Sequence, residues 1–131
     1  MNLKKILSFV AAATLCFSLV GCAAGNGGKG GDDLIKVGII NNDPNESGYR
    51  TANDRDMKET FTKENGFDAS FAYSLKNDEQ IGFAQKFIQD EVDYLLLSAA
   101  DTAGWDSVLK DAQAAGVKVI LFDRTIDADE S

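Results

Sequence analysis

The sequence predicts an α/β fold, a doubly wound parallel sheet with helices packed on both of its faces. Short apolar runs of strand type alternate with amphipathic helical segments in the order βαβαβαβ, and only a few residues connect them. One run, residues 94–97, is continuously apolar, which is typical of a strand buried on both faces. The composition, 44% apolar and 26% charged, is that of an ordinary globular domain.

The first half of this pattern holds two strands and one helix. Residues 35–40 are largely β-branched and predict the first strand, which a polar loop containing Pro44 follows. A helix is predicted from Tyr49 to about Asn65, capped by Ser47 and ended by Gly66. Residues 67–75 alternate in polarity and predict the second strand. The residues expected to share an apolar face are Tyr49, Ala52, Met57 and Phe61 in the helix, and Phe67, Ala69, Phe71, Tyr73 and Leu75 in the strand.

The second half repeats the alternation. A helix is predicted over residues 77–91, the buried third strand over 94–97, a helix over 105–115 ended by Gly116, and a fourth strand over 117–122. The residues expected to point inward are Ile81, Ala84, Phe87 and Ile88 in the first of these helices, and Val108, Leu109, Ala112 and Ala115 in the second. Because a fourth strand of such a sheet normally has further elements beside it, we expect one sheet edge and part of one face to lack their cover.

The N-terminal segment is of a different kind. Residues 1–21 combine two lysines with an apolar run of about fifteen residues, which is typical of a signal peptide. They end in Leu-Val-Gly before Cys22, which resembles a bacterial lipobox and implies that Cys22 carries a lipid. The alternative is a plain secretory signal with an incidental Cys22. Residues 22–33 are rich in glycine and predict a flexible tether, since Lys29 lacks the Ser or Thr of a phosphate-binding loop. Residues 34–131 then form the folded body.

Several function classes are excluded or disfavoured by composition and motifs. A net charge of −8 disfavours nucleic-acid binding, because neutralising phosphates requires a basic surface. Without histidine, a Ser-His-Asp triad is impossible and the commonest zinc ligand is missing. No dinucleotide fingerprint and no calcium-binding spacing is present. We therefore expect neither catalysis nor a metal or other cofactor.

Three polar loops are the candidate binding region, because ligands of open α/β sheets bind beyond the carboxyl ends of the strands. These loops are residues 41–50, 98–106 and 123–125. Charged groups make strong hydrogen bonds to vicinal sugar hydroxyls, and an aromatic ring covers the apolar face of a sugar. The residues that supply these groups are Glu46, Tyr49, Arg50, Asp123 and Arg124.

Each candidate residue also has a plainer interpretation. In that interpretation, the charged side chains only face solvent in their loops, Tyr49 packs under its helix, and Ser47 serves only as a helix cap. Trp105, at the start of a helix, is expected to pack in or near the core. Arg50 stands out because it falls in the first turn of its helix, where the helix dipole disfavours a cation by about 0.3–1 kcal/mol.

Four segments resemble the periplasmic sugar-binding proteins of ABC transporters, in the ribose/galactose class with a type I periplasmic-binding fold. The likeness is greatest to the galactofuranose-binding branch and runs from about residue 35 to 127. The segments are residues 36–40, Glu-Ser-Gly-Tyr-Arg at 46–50, residues 104–109 beginning Gly-Trp-Asp, and residues 119–124 ending Asp-Arg. Carried over position by position, the resemblance implies that the sugar site is lined by Glu46, Ser47, Gly48, Tyr49, Arg50, Asp123 and Arg124.

The resemblance also implies an architecture and partners. In the family, two similar lobes close on the ligand, and this chain matches only the first four strands of the first lobe, as an N-terminal fragment would. The implied function is a lipoprotein, anchored at Cys22 outside the membrane, that captures a monosaccharide for an ABC transporter permease. The alternative is a sugar-sensing module for a histidine kinase or chemoreceptor. A sugar-responsive repressor lacks its DNA-binding helices here, and a small flavodoxin-like enzyme lacks the nucleotide motif.

Overall fold

The computed structural model describes residues 33–128, which contain four strands and three helices. The predicted signal peptide, Cys22 and nearly all of the predicted tether lie outside these residues. None of the helices within 33–128 combines the length and apolar character that crossing a membrane requires. The elements are β1 (Ile35–Asn41), α1 (Gly48–Thr60), β2 (Phe67–Tyr73), α2 (Asn77–Gln89), β3 (Tyr94–Leu97), α3 (Asp106–Ala115) and β4 (Lys118–Leu121).

The four strands form one parallel sheet in the order β2-β1-β3-β4, which confirms the predicted class. Strand β1 pairs with β2 through Ile35 and Phe67 and with β3 through Val37 and Tyr94. The chain thus places β2 on one side of β1 and then β3 and β4 on its other side. Between β1 and β3 lies the switch point at which open α/β sheets form a crevice.

Helices cover both faces of the sheet and divide the core into two clusters. On one face, Val37, Ile39 and Leu96 are buried against Met57 of α1 and against Phe61, which directly follows that helix. On the opposite face, α2 and α3 pack against β1 and β3. The buried members of that second cluster are Ile40, Ala84, Phe87, Val92, Leu95, Leu97, Ala99, Trp105, Val108, Ala112 and Val117. The burial of Trp105 and of all three leucines of β3 confirms the sequence-based expectation.

Glycine at position 38 is required by the close approach of α2 to β1. A β-carbon built on Gly38 would lie 2.6 Å from two ring atoms of Phe87, far inside van der Waals contact. Gly116 has a different role, because it ends α3 in the left-handed conformation with φ of 74°. Both glycines thus help to seat helices on the same face of the sheet.

The ends of three elements, α1, β2 and α2, were predicted at least two residues too late, and α2 ends at Gln89 instead of residue 91. Helix α1 stops at Thr60 because Phe61 leaves the helical conformation and packs into the core, and a turn then leads to Gly66, with φ of 91°. Tyr49 is 58% exposed and does not share the buried face of Met57. Leu75 lies beyond the end of β2 and is 55% exposed, so the alternation of that strand stops at Tyr73. Ala115 is also exposed, at the last residue of α3.

Strand β4 pairs only with β3 among the described strands. Its side chains Ile120 and Leu121 remain 46% and 39% exposed, on opposite faces of the strand. This agrees with the expectation that one edge and part of a face would be uncovered.

Candidate functional site

The carboxyl ends of β1, β3 and β4 bring the three predicted loops together. Asn41 ends β1, Ser98 directly follows β3, and Asp123 comes two residues after β4. Because the strands are parallel, all three residues lie at the same edge of the sheet, and β1 and β3 flank the switch point. Side chains far apart in sequence therefore meet where the sheet topology predicts a ligand site.

Arg50 is at the centre of this group and is only 6% exposed. Its Nη2 lies 2.7 Å from Oδ2 of Asp123, and its Nε lies 3.4 Å from Oε2 of Glu46. Its Nη1 donates hydrogen bonds to Oδ1 of Asn41 at 3.2 Å and to Oγ of Ser98 at 3.3 Å. Two carboxylates, an amide and a hydroxyl therefore fix the guanidinium, which joins all three predicted loops.

The start of α1 explains how Arg50 reaches this position. Ser47 is the N-cap, and its Oγ accepts a hydrogen bond from the Arg50 backbone N–H at 3.3 Å, as expected from the sequence. Glu46, one residue earlier, lies one turn before Arg50 and forms the i,i+4 ion pair. The unfavourable placement of a cation in the first turn is thus offset by two carboxylates. Gly48 begins the helix, and the ring of Tyr49 is mostly exposed.

Asp123 adopts the left-handed conformation, with φ of 61°. Asp is among the few residues that visit this region readily, and here it turns the chain just beyond β4. The next residue, Arg124, donates its backbone N–H to the carbonyl of Phe122 at 2.6 Å. Both Asp123 and Arg124 line an open cleft of about 430 Å³. The residues that complete its lining are Ala99, Ala100, Asp101, Thr102 and Thr125.

Ser98 and the two asparagines at the end of β1 are site residues that the sequence did not single out. The Oγ of Ser98 donates to Oδ2 of Asp123 at 3.3 Å and accepts from Nδ2 of Asn42 at 3.0 Å. Asn41, Asn42 and Ser98 are 2%, 0% and 0% exposed. The only signal available in the sequence was that these polar residues directly follow buried strands in the predicted binding loops.

Gln80 binds the backbone of the loop that follows β3, and the sequence analysis did not identify it as a candidate residue. It is fully buried on α2. Its Nε2 donates to the carbonyls of Ser74 at 2.9 Å and Ser98 at 3.2 Å, and its Oε1 accepts from the N–H of Ala100 at 2.8 Å. One amide side chain therefore satisfies three backbone groups and fixes the loop that forms one wall of the cleft.

Further polar contacts join α1 to the ends of β1 and β2. Nδ2 of Asn41 donates to Oδ1 of Asn53 at 3.0 Å, next to Asp54. Burial alone would raise the pKa of Asp54, but hydrogen bonds from Lys58 and Tyr73 outweigh it and lower that pKa below its usual value. The bond to Asp54 raises the pKa of Lys58, and burial raises the pKa of Tyr73. The Lys58 amine also lies 5.4 Å from the centre of the Tyr73 ring.

The arrangement suits hydrogen bonding more than metal binding. Within residues 33–128, no three Cys, Asp or Glu side chains are grouped in a way that could hold a metal ion. Carboxylates and guanidinium groups are instead paired at the edge of an open cleft, a geometry that presents fixed donors and acceptors to a polar ligand.

Comparison with known proteins gives consistent matches. The family described as "Periplasmic binding protein domain" matches residues 37–131. The chain is 37% identical, over 133 aligned residues, to the fructose import binding protein of Bifidobacterium longum, a match that covers 99% of this chain and 40% of that protein. It is 31% identical to the galactofuranose-binding protein of Escherichia coli over 83 residues, 63% of this chain and 26% of that protein.

Solved structures give the same result for the fold. A Mycobacterium smegmatis protein in complex with β-D-fucofuranose superimposes with a TM-score of 0.67 at 34% identity, covering 75% of this chain and 32% of that one. The chain thus spans less than half the length of each relative. These relatives are described as binding proteins, in agreement with the expectation that the chain is not an enzyme.

Proposed function

Because this chain belongs to the periplasmic binding protein family, we propose that it forms one wall of a monosaccharide-binding site in an ABC-type sugar importer. The observation that carries the proposal is the ion pair between Arg50 and Asp123 at the switch point of the sheet, beside the open cleft. The two named relatives are described as binding fructose and galactofuranose, which supports a monosaccharide as the ligand class.

The chemistry of the site favours a neutral polyhydroxylated ligand. The cleft carries the carboxylates of Asp101 and Asp123 and the guanidinium of Arg124. Each hydroxyl of a sugar both donates and accepts, so it matches such mixed groups, whereas an anionic ligand would be repelled by the excess of carboxylate. The exposed ring of Tyr49 is available to cover an apolar sugar face. We assign ligand contact to Glu46, Ser47, Gly48, Tyr49, Arg50, Asp123 and Arg124.

The experiment is a titration of the isotopically labelled protein with D-fructose and D-galactose, followed by nuclear magnetic resonance. We expect millimolar binding, since the chain presents one wall of the cleft, with shift changes confined to residues 46–50 and 123–125. Ethylene glycol at equal concentration is the control for unspecific solvent effects. Absence of any localised shift would refute the sugar site, and micromolar affinity by calorimetry would refute the view that a second wall is needed.

We further propose that the protein acts outside the membrane, held by a lipid on Cys22, and delivers its sugar to a permease. The support is the lipobox-like Leu-Val-Gly-Cys and the glycine-rich stretch after it, which suits a tether. Metabolic labelling with a radioactive fatty acid tests the anchor. Label should be lost in Cys22→Ser and kept in Cys16→Ser, and label that persists in Cys22→Ser would exclude this anchor.

A further inference from the structure

We propose that Ser98 is a positioning residue that fixes which oxygen of the Asp123 carboxylate is left for the ligand. Ser98 directly follows β3 beside the switch point and is fully buried. Its hydroxyl bonds to both Asp123 and Arg50. The inference goes deeper into the proposed sugar site and rests on it for the ligand. The positioning itself is a property of the protein without ligand.

Every hydrogen-bonding capacity of the Ser98 hydroxyl is used. A hydroxyl has one proton to donate and two lone pairs to accept with. The Oγ donates to Oδ2 of Asp123 at 3.3 Å and accepts from Asn42 at 3.0 Å and from Nη1 of Arg50 at 3.3 Å. Because both lone pairs are taken by N–H donors, the proton has one remaining direction, and that direction leads to Asp123.

The Ser98 backbone is held as firmly as its side chain. Its carbonyl accepts from Nδ2 of Asn42 at 3.3 Å and from Nε2 of Gln80 at 3.2 Å, and its N–H donates to the carbonyl of Ile40 at 3.0 Å. Elements from both faces and the centre of the sheet thus fix the position of the hydroxyl. A rotation of the Ser98 side chain would deprive one N–H of Asn42 and one N–H of Arg50 of their acceptor, which is unfavourable for buried groups.

The consequence falls on the two oxygens of Asp123. Oδ2 receives the hydroxyl of Ser98 and lies 2.7 Å from Nη2 of Arg50. Over residues 33–128, no hydrogen bond or ion pair engages Oδ1, and the side chain is 23% exposed at the cleft. One oxygen is therefore tied to the protein, and the other is presented as an acceptor for a ligand hydroxyl.

The Asp123 carboxylate is held jointly by Ser98 and Arg50, and Ser98 also accepts a hydrogen bond from Arg50. The test therefore measures the rotation of the Arg50 guanidinium by nuclear magnetic resonance in the full chain without ligand. The protein has only three arginines, and Arg55 on the surface is an internal reference. Loss of one hydrogen bond to a charged group should speed the rotation roughly tenfold in Ser98→Ala. Ser107→Ala, an exposed serine on α3, is the matched control and should leave it unchanged. Ser98→Cys, which keeps the side-chain size with a weak donor, repeats the test should the alanine variant fold poorly.

Equal rotation of Arg50 in the wild type and in the Ser98 variants would overturn the proposal. A titration with D-fructose then separates it from the proposed function. Affinity about tenfold weaker in Ser98→Ala than in Ser107→Ala supports the role in ligand binding. Equal affinity would refute that role. No binding to the wild type, together with faster rotation in Ser98→Ala, would refute the sugar site while supporting the positioning role.

Discussion

Replacing Arg50 by methionine should destabilise the protein by about 2–3 kcal/mol, because the side chain joins the three predicted binding loops. The guanidinium is almost fully buried, and its removal leaves Asn41 and Ser98, both buried, short of one donor each. Loss of such a hydrogen bond costs about 1 kcal/mol or more.

The two carboxylates limit the effect. The side chains of Asp123 and Glu46 are 23% and 43% exposed, so both regain water when Arg50 is lost. We therefore place the total below the upper end of about 3–5 kcal/mol that breaking a fully buried ion pair produces. Asp123 should account for most of the electrostatic part, because its oxygen lies nearer to the guanidinium than that of Glu46 does.

The assay is equilibrium unfolding in urea, followed by the fluorescence of Trp105, the only tryptophan and a fully buried one. Arg55→Met is the matched control, since Arg55 lies on the same helix with a mostly exposed side chain, and it should change stability by less than about 0.5 kcal/mol. A loss in Arg50→Met below about 1 kcal/mol, or equal to that of Arg55→Met, would refute the central role of Arg50.

Two further predictions concern packing and pH. Gly38→Ala should destabilise the protein by about 1–3 kcal/mol in the same assay, because the new methyl group would overlap Phe87. Gly82→Ala, where an added methyl group meets nothing within 4 Å, should be neutral or stabilising, and equal effects would contradict this account. The pKa of Asp54 is lower in the folded protein, so its pairing with Lys58 stabilises above the unfolded pKa of about 4 and is lost as pH falls through the folded value. The stability difference between wild type and Asp54→Asn should therefore shrink below about pH 4, and a constant difference from neutral to acid pH would contradict the assignment.

The fold class could be predicted because each strand and helix shows its own spacing of apolar residues within a short stretch of sequence. The leucines at 95–97 are buried on both faces of the sheet, and the inward positions of α2 join the core as the helical spacing predicts. The pattern failed where a local period continued past the end of an element. Leu75 keeps the alternation of β2 but lies beyond the last paired residue, so no neighbour covers it.

The polar network around Arg50 was harder to predict, because its members meet only through the order of the strands in the sheet. Arg50 could be singled out by its place in the first helical turn. Ser98 and Gln80 carry no such local sign, since one follows a strand and the other lies on a helix like any polar residue. Their roles depend on β1 lying beside β3 in the sheet. These two strands are far apart in sequence, so no short stretch of residues shows that they are neighbours.

The central position of β1 also determines the order in which the sheet can assemble. Val37 pairs with Tyr94, and Ile35 pairs with Phe67, so the first strand made during synthesis gains its second partner only after β3 has emerged. Parallel pairing at such sequence separations makes folding slow, because loop closure precedes the gain from contact. Until the leucines of β3 arrive, one edge of β1 stays open, and the incomplete intermediate exposes Ile39 and Ile40 to other chains. Refolding yield should accordingly fall as protein concentration rises, with β1 as the segment through which intermediates associate.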